Sequence, residues 1–270
     1  MDPFRLITRS DSALLMEDLV DHWEQRLRER LAEPAPQPMG LATGRTMDPF
    51  YRLLVQRLRS WPQKDFERLR QGWLSFNLDE YVGLPAAAET SFAATMRRHL
   101  GEPLALRSDQ LRLPDGAASD PEAEAERYAS ALQMAGGLGI QLLGLGINGH
   151  VGFNEPPCSD AVRCRVVQLS DATRRQNAED FATDPQGVPL QAITIGLGEI
   201  LAAGEVHLVV TGAAKAAILQ KVLCAEPTPA VPASWLRQHP RLWVWADAEA
   251  LALVRATAMP EAPQEVPGLY

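Results

Sequence analysis

The chain is poor in the features that mark secreted, membrane or nucleic-acid-binding proteins. Only three of its 270 residues are cysteine: Cys158, Cys164 and Cys224. They are widely spaced and form no C-x-x-C, so the sequence offers neither a disulfide framework nor a thiolate metal site, and a reducing compartment suits it. No apolar run approaches the roughly 20 residues of a membrane-spanning helix. The opening MDPFRLITRSD lacks the apolar core of a signal peptide. The expectation is a soluble, cytoplasmic protein with no membrane partner. Positive charge is also scarce. The 26 Lys and Arg are outnumbered by 34 Asp and Glu, for a net charge of −8, which argues against a nucleic-acid groove. An anionic ligand would need local cations and backbone N–H groups. There is no internal repeat and no low-complexity boundary, so residues 1–270 read as a single domain.

What is present is a 46% apolar composition and alternating strand and helix signals. Phe4 to Thr8 reads as a strand. Leu15, Leu19, Trp23, Leu27 and Leu31 then repeat every four residues, the stripe of an amphipathic helix, with Asp11 or Ser12 as its cap. Further strands are expected at Met39–Ala42, Trp73–Asn77, Ile140–Leu145, Cys164–Leu169, Ala192–Ile195, Val206–Val210 and Leu242–Trp245. Helices are expected at about 49–58, 90–100 and 120–134, with a polar one opening at Asp171 and another, with Lys215 in its first turn, running to about Leu223. Leu104 to Ala118 reads as irregular, and the tail after about residue 259, with three prolines, as loose. Alternation of this kind gives a doubly wound, mostly parallel α/β sheet with right-handed crossovers.

The stretch LLGLGINGHVGFNEPP, Leu142 to Pro157, concentrates the chemistry. A buried strand leaves through Gly144, Gly146 and Gly149 and delivers Asn148, His150, Asn154 and Glu155 within eight residues. In an open α/β sheet, ligands bind beyond the carboxyl ends of the strands. An imidazole with a carboxylate five residues on suits acid–base work near neutral pH. The same letters satisfy G-x-G-x-x-G, but that dinucleotide fingerprint needs a helix at its third glycine, and Gly152, Pro156 and Pro157 oppose one. The bland alternative is a turn in which His150 and Glu155 merely satisfy each other.

Three other places add to it. Thr43-Gly44-Arg45-Thr46, between a strand and a helix N-terminus, has the make-up of an anion cradle without the Gly-Lys of a Walker loop. Its alternative is an ordinary turn with a Thr cap. Asp79 and Glu80 follow a strand. Adjacent side chains on extended backbone face opposite ways, so at most one of them enters a site. Lys215, in the first turn of a helix, runs against the dipole preference and makes sense beside a bound anion.

Together these residues resemble the glucosamine-6-phosphate deaminase family and the wider group that includes 6-phosphogluconolactonase. Phe76 to Pro85 looks like the family's DEYVGLP segment, Gly144 to Pro156 like its G-x-G-x-[DN]-G-H-[IV]-[AG]-F-N-E-P signature, and Thr43 to Thr46 like its T-G-x-T phosphate loop. Ile193 to Gly196, Thr211-Gly212 with Lys215, and Pro232-Ala-Ser234 follow in the family's order. Lactonase relatives read S-L-F-P where this chain has F-N-E-P. The resemblance implies a Rossmann-like sheet with helices on both faces. It also implies conversion of glucosamine 6-phosphate and water to fructose 6-phosphate and ammonia, with no metal or organic cofactor. It makes Asp79 the base between C2 and C1, His150 the proton-transfer group for ring opening, Glu155 the residue that holds and tunes His150, and Asn148 their neighbour. Thr43, Gly44, Arg45, Thr46 and Lys215 hold the phosphate. Some relatives are hexamers, so a homo-oligomer is compatible with the resemblance.

The chain departs from the family pattern in three places. Asn148 stands where many members have Asp, and Arg45 and Met47 replace the Gly and Pro of a T-G-G-T-P loop. An ungapped count puts Glu179 where many members carry a phosphate-binding Arg. Either Arg174 or Arg175 reaches in, or Arg45 supplies the lost charge. The other readings are a galactosamine-6-phosphate deaminase or isomerase, a lactonase that needs no C2 base, and a non-catalytic sugar-phosphate sensor.

Overall fold

The computed structural model describes residues 4–254. The proline-bearing tail after residue 259 lies outside them. The first strand, β1 (Arg5–Arg9), leads into α1 (Ser12–Arg30). Asp11 caps α1, accepting from the backbone N–H groups of Ala13 and Leu14 at 3.0 Å each. Leu15, Leu19, Trp23 and Leu27 are fully buried, as their spacing predicts. Each such side chain contributes about 1.5–3 kcal/mol on burial.

The chain continues through β2 (Met39–Leu41), α2 (Asp48–Arg59), α3 (Gln63–Gly72) and β3 (Ser75–Asn77) to β4 (Asp79–Tyr81). Next come α4 (Phe92–Met96), running into a π-turn over Arg97–Gly101, then β5 (Leu111–Arg112) and α5 (Pro121–Met134). The second half comprises β6 (Ile140–Gly144), β7 (Arg165–Gln168), α6 (Asp171–Asn177), β8 (Gln191–Thr194), α7 (Leu197–Leu201), β9 (Val206–Val210), α8 (Ala216–Cys224) and β10 (Leu242–Asp247).

Seven strands form one sheet in the order β1-β10-β9-β6-β2-β3-β5, and every pairing in it is parallel. Helices pack around it over a continuous apolar core. After β2 the chain winds outward to β3 and β5, then returns to place β6 on the other side of β2. The order therefore reverses between β2 and β6, and loops leaving adjacent strands in opposite directions open a crevice there.

The structure corrects several expectations. The strands at 165–168 and 191–194 do not extend the parallel sheet. With β4 they form a second, antiparallel sheet in the order β4-β8-β7. A smaller apolar cluster of Tyr81, Phe153, Leu169, Ala178, Val188 and Ala192 lies with it. The stretch read as irregular contains the edge strand β5. The turn expected at Gly196–Gly198 opens the short helix α7, and α3, which was not expected, is a mostly polar segment that buries only Leu69.

Leu78 joins the two sheets. Its N–H donates to Leu41 O in the large sheet and its carbonyl accepts from Ile195 N beside the small one, both at 2.8 Å. Asp79 is the next residue.

Candidate active site

The crevice between β2 and β6 holds a cleft with about 230 Å³ of free volume. Its walls come from carboxyl-terminal ends of strands. The turn after β2 supplies Thr43, Gly44, Arg45 and Thr46; the run from β3 into β4 supplies Asp79 and Tyr81; the turn after β6 supplies Gly146 and His150; and Lys215 comes from the turn before α8. Gln176, Asn177 and Asp180, from α6 and the turn after it, also line it.

The adjacent acids part company as alternation requires. Asp79 is buried and lines the cleft. Its carboxylate has no hydrogen-bond or ion-pair partner among the described residues. Burial, with Glu80 next to it, holds its pKa well above the ordinary value. Glu80 points the other way and accepts from the N–H groups of Tyr81, Phe92 and Ala93 at 2.9, 3.0 and 2.8 Å, so it caps α4.

His150 stands over Gly146. A Cβ at Gly146 would lie 2.3 to 2.4 Å from three atoms of the imidazole, so only glycine lets the ring take this place. Gly149 adopts φ +88°, a left-handed conformation that turns the chain back toward the cleft. No helix follows; residues 145–164 form turns and an isolated bridge between Val151 and Asn154, which removes the dinucleotide reading. Nδ1 of His150 is buried without a hydrogen-bond partner. The expectation of an imidazole titrating near neutrality is not met in this structure. Burial pushes its pKa down to about 4, with Glu155 pulling it back and Lys215 pushing it further.

Asn148 and Glu155 form a layer behind the cleft wall. Asn148 Oδ1 accepts from the backbone N–H of His150 at 3.2 Å, and its Nδ2 donates to Glu155 at 3.5 Å. Glu155 makes no direct hydrogen bond to the imidazole. It accepts from Ser170 N and Ser170 Oγ at 2.8 Å each, and from the Thr173 hydroxyl. Burial raises its carboxyl, but these donors outweigh it and hold the pKa below the ordinary value. Nothing local to the G-H-x-x-F-N-E-P motif announces Ser170 and Thr173. The positions of Tyr81 and Phe153 were visible within the motifs, whereas Gln176, Asn177 and Asp180 had no signal beyond the polarity of their helix.

At the anion end, Gly44 adopts φ +126°, and α2 begins with no side-chain cap, so Thr46 is not a helix cap. Thr43 Oγ1 is buried and unpartnered. Burial, and then Arg45, lower the Lys215 ammonium. Arg45 is ion-paired with Glu179. Arg174 does not reach in: its guanidinium donates to Val188 O and Pro185 O at 3.1 and 2.8 Å. Arg175 is exposed and is not part of the lining.

One cluster elsewhere brings three metal-ligating side chains together: His22, Glu205 and His207, at the amino-terminal end of the sheet. Its donor chemistry does not fit a cation. Trp245 Nε1 donates to His207 Nδ1 at 3.0 Å. An indole N–H can only donate, so neutral His207 carries its proton on Nε2 and gives it to Glu205 Oε1 at 2.7 Å. A metal would need that same nitrogen bare. Arg241 pairs with the other carboxylate oxygen.

Comparison with known proteins agrees with the geometry. The family model for glucosamine-6-phosphate isomerases/6-phosphogluconolactonase matches residues 10–245. The chain is 40% identical over 227 residues to a glucosamine-6-phosphate deaminase of Shouchella clausii, covering 84% of this chain and 90% of that one. It is 37% identical over 252 residues to glucosamine-6-phosphate deaminase 2 of Giardia intestinalis, covering 93% and 92%. Its structure is similar to that of a monomeric glucosamine-6-phosphate deaminase, with TM-score 0.83, 32% identity and coverage of 92% and 99%. A 6-phosphogluconolactonase from Trypanosoma brucei shares the fold, with TM-score 0.70 at 20% identity over 92% and 97%. The sequence motifs, the parallel sheet with its crevice, and these matches over most of the chain agree: the protein belongs to the glucosamine-6-phosphate isomerase/6-phosphogluconolactonase family.

Proposed function

We propose that the protein is a glucosamine-6-phosphate deaminase, an isomerising hydrolase of amino-sugar metabolism that converts glucosamine 6-phosphate and water to fructose 6-phosphate and ammonia. The observation that carries the reading is Asp79: a buried carboxylate, free of any partner among the described residues, lining one cleft with His150 and with two turns that bring Arg45 and Lys215. Moving a proton between C2 and C1 of an open-chain aldose needs a carboxylate at the carbon acid, and a raised pKa makes it a stronger base. A lactonase would have no use for it. His150 moves the proton at the ring oxygen. Neutral His150 can accept the proton of the C1 hydroxyl, becoming imidazolium, and hand it to the ring oxygen as the C1–O bond of the ring breaks, and Asn148 and Glu155 orient it from behind. Thr43, Gly44, Arg45, Thr46 and Lys215 hold the phosphate, and the reaction draws on no metal or organic cofactor.

The names of the relatives at 37–40% identity support this substrate over the galactosamine isomer. Three free thiols suit a reducing cytoplasm, and no helix of the described residues is long and apolar enough to cross a membrane. The test is ammonia release from glucosamine 6-phosphate and from galactosamine 6-phosphate, run beside hydrolysis of 6-phosphogluconolactone. Ammonia and fructose 6-phosphate from the first substrate are expected; lactone hydrolysis alone would overturn the reading.

A further inference from the structure

Arg45, which lines the cleft, is ion-paired with Glu179, the neighbour in sequence of the lining residue Asp180. Arg45 belongs to the turn after β2, and Glu179 to the short 3-10 turn, Ala178–Phe181, that follows α6. Both side chains are more than half exposed, at 62% and 64%, so the pair lies in a high dielectric and can exchange partners cheaply. The rest of the anion end is unspent. Thr43 Oγ1 is buried with no partner, and Lys215 has no carboxylate paired to it among the described residues. Glu179 therefore satisfies one member of a larger donor set and leaves the others open.

Taking the amino-sugar phosphate reading as given, we propose that Glu179 is a built-in competitor for the phosphate site, an intramolecular carboxylate that the ligand's phosphate must displace from Arg45. The exchange is selective by charge. A carboxylate offers Arg45 one negative charge and touches neither Thr43 nor Lys215. A phosphate carries nearly two charges and three acceptor oxygens, enough to take Arg45, the Thr43 hydroxyl and Lys215 together. A sugar hydroxyl cannot compete with a carboxylate for a guanidinium. Glu179 thus lowers the affinity for every anion and rejects ligands without a dianionic group, which is specificity obtained by penalising the wrong ligand.

The experiment measures binding of inorganic phosphate by calorimetry at low ionic strength, a readout independent of turnover. It compares the full chain with Glu179→Gln, Glu179→Asp, Arg45→Gln, the double variant Glu179→Gln/Arg45→Gln, and Glu226→Gln. The last removes the same unit charge from an exposed position after the carboxyl end of α8. Glu179→Gln is expected to bind phosphate about two- to five-fold tighter, the worth of one exposed ion pair that no longer has to be broken. Glu179→Asp and Glu226→Gln should stay near the parent. The gain should vanish when Arg45 is absent, because the two residues share one contact. A Glu179→Gln protein that binds phosphate equally or more weakly, or that keeps its gain without Arg45, overturns the proposal. If the parent releases ammonia from an amino-sugar phosphate and Glu179→Gln still shows no gain, the competitor fails while the functional reading stands. If neither parent nor variant binds phosphate, the competitor fails, and ammonia release alone decides the functional reading.

Discussion

Asp79 and Glu80 are neighbours of the same chemical type, and exchanging them one at a time should move stability and activity in opposite directions. Glu80→Ala removes the acceptor for three backbone N–H groups at 2.8 to 3.0 Å. Burial raises the Glu80 carboxyl, and the N–H groups of Ala93, Phe92 and Tyr81 only partly offset it. The loss on truncation therefore comes mainly from the donors left without a partner. At about 1 kcal/mol for each partly buried donor, the variant should lose about 2–4 kcal/mol. For a chain of this size that is a fall in Tm of about 5–10 °C. Residual activity below the transition should stay within about tenfold, since Glu80 faces away from the cleft. Asp79→Asn should do the reverse. Because the folded pKa of Asp79 is raised by burial and by Glu80, the unfolded chain releases its proton first. Its ionisation then lowers stability as pH rises from the ordinary carboxylate value through the raised one. The isosteric amide removes that cost, so Tm at pH 7 should be equal or higher while ammonia release and solvent exchange at C2 disappear. Thermal unfolding by circular dichroism, with an ammonia assay on the same samples, measures both quantities. A Glu80→Ala protein as stable as the parent, or an Asp79→Asn protein that unfolds early or still exchanges C2 protons, would refute the assignment of one acid to structure and the other to chemistry.

Gly146→Ala should cost about 10²–10³ in kcat with little change in Tm, because the new methyl displaces the His150 ring and leaves the core intact; full activity would show that the ring position is immaterial. Stability should fall on acidification from about pH 6.5 toward pH 4. His150 and His207 are both depressed to about 4, chiefly by burial, so the unfolded chain takes up protons first. His150→Asn should flatten that slope, and identical Tm profiles for parent and variant would contradict it. Adding zinc or a chelator should leave Tm unchanged, since the Nε2 lone pair a cation would need on His207 is already protonated; a rise in Tm with zinc would show that the indole contact yields.

The parts legible in the sequence are those in which local order and tertiary order coincide. A four-residue stripe buries α1 whatever it packs against. Likewise, the alternation of extended backbone separates Asp79 from Glu80 before any fold is known. The second sheet was not legible. A short half-buried strand such as Arg165–Gln168 has the same letters whether its neighbour runs parallel or antiparallel, and only the path of the chain decides. The partners of Glu155 were hidden for a related reason. Its obvious companion was His150, five residues away, while Ser170 and Thr173 arrive from the start of a helix that first has to fold back. Arg45 and Glu179 were each conspicuous as departures from the family pattern, but nothing in either neighbourhood indicates that the fold brings them into contact across a sequence separation of 134.

The double attachment of Leu78 has a mechanical consequence. A residue hydrogen-bonded on one side to the large sheet and on the other to the small one is a weld, and the side chain next to a weld is the last to move when loops do. Asp79 is therefore a fixed point, whereas Arg45, Lys215 and the carboxylates beyond α6 ride on turns. A substrate held at its phosphate end by movable parts would be drawn toward a stationary base. In such an arrangement, errors of fit are absorbed at the clamp, where they cost little, and the reach between base and carbon acid is kept constant from one turnover to the next.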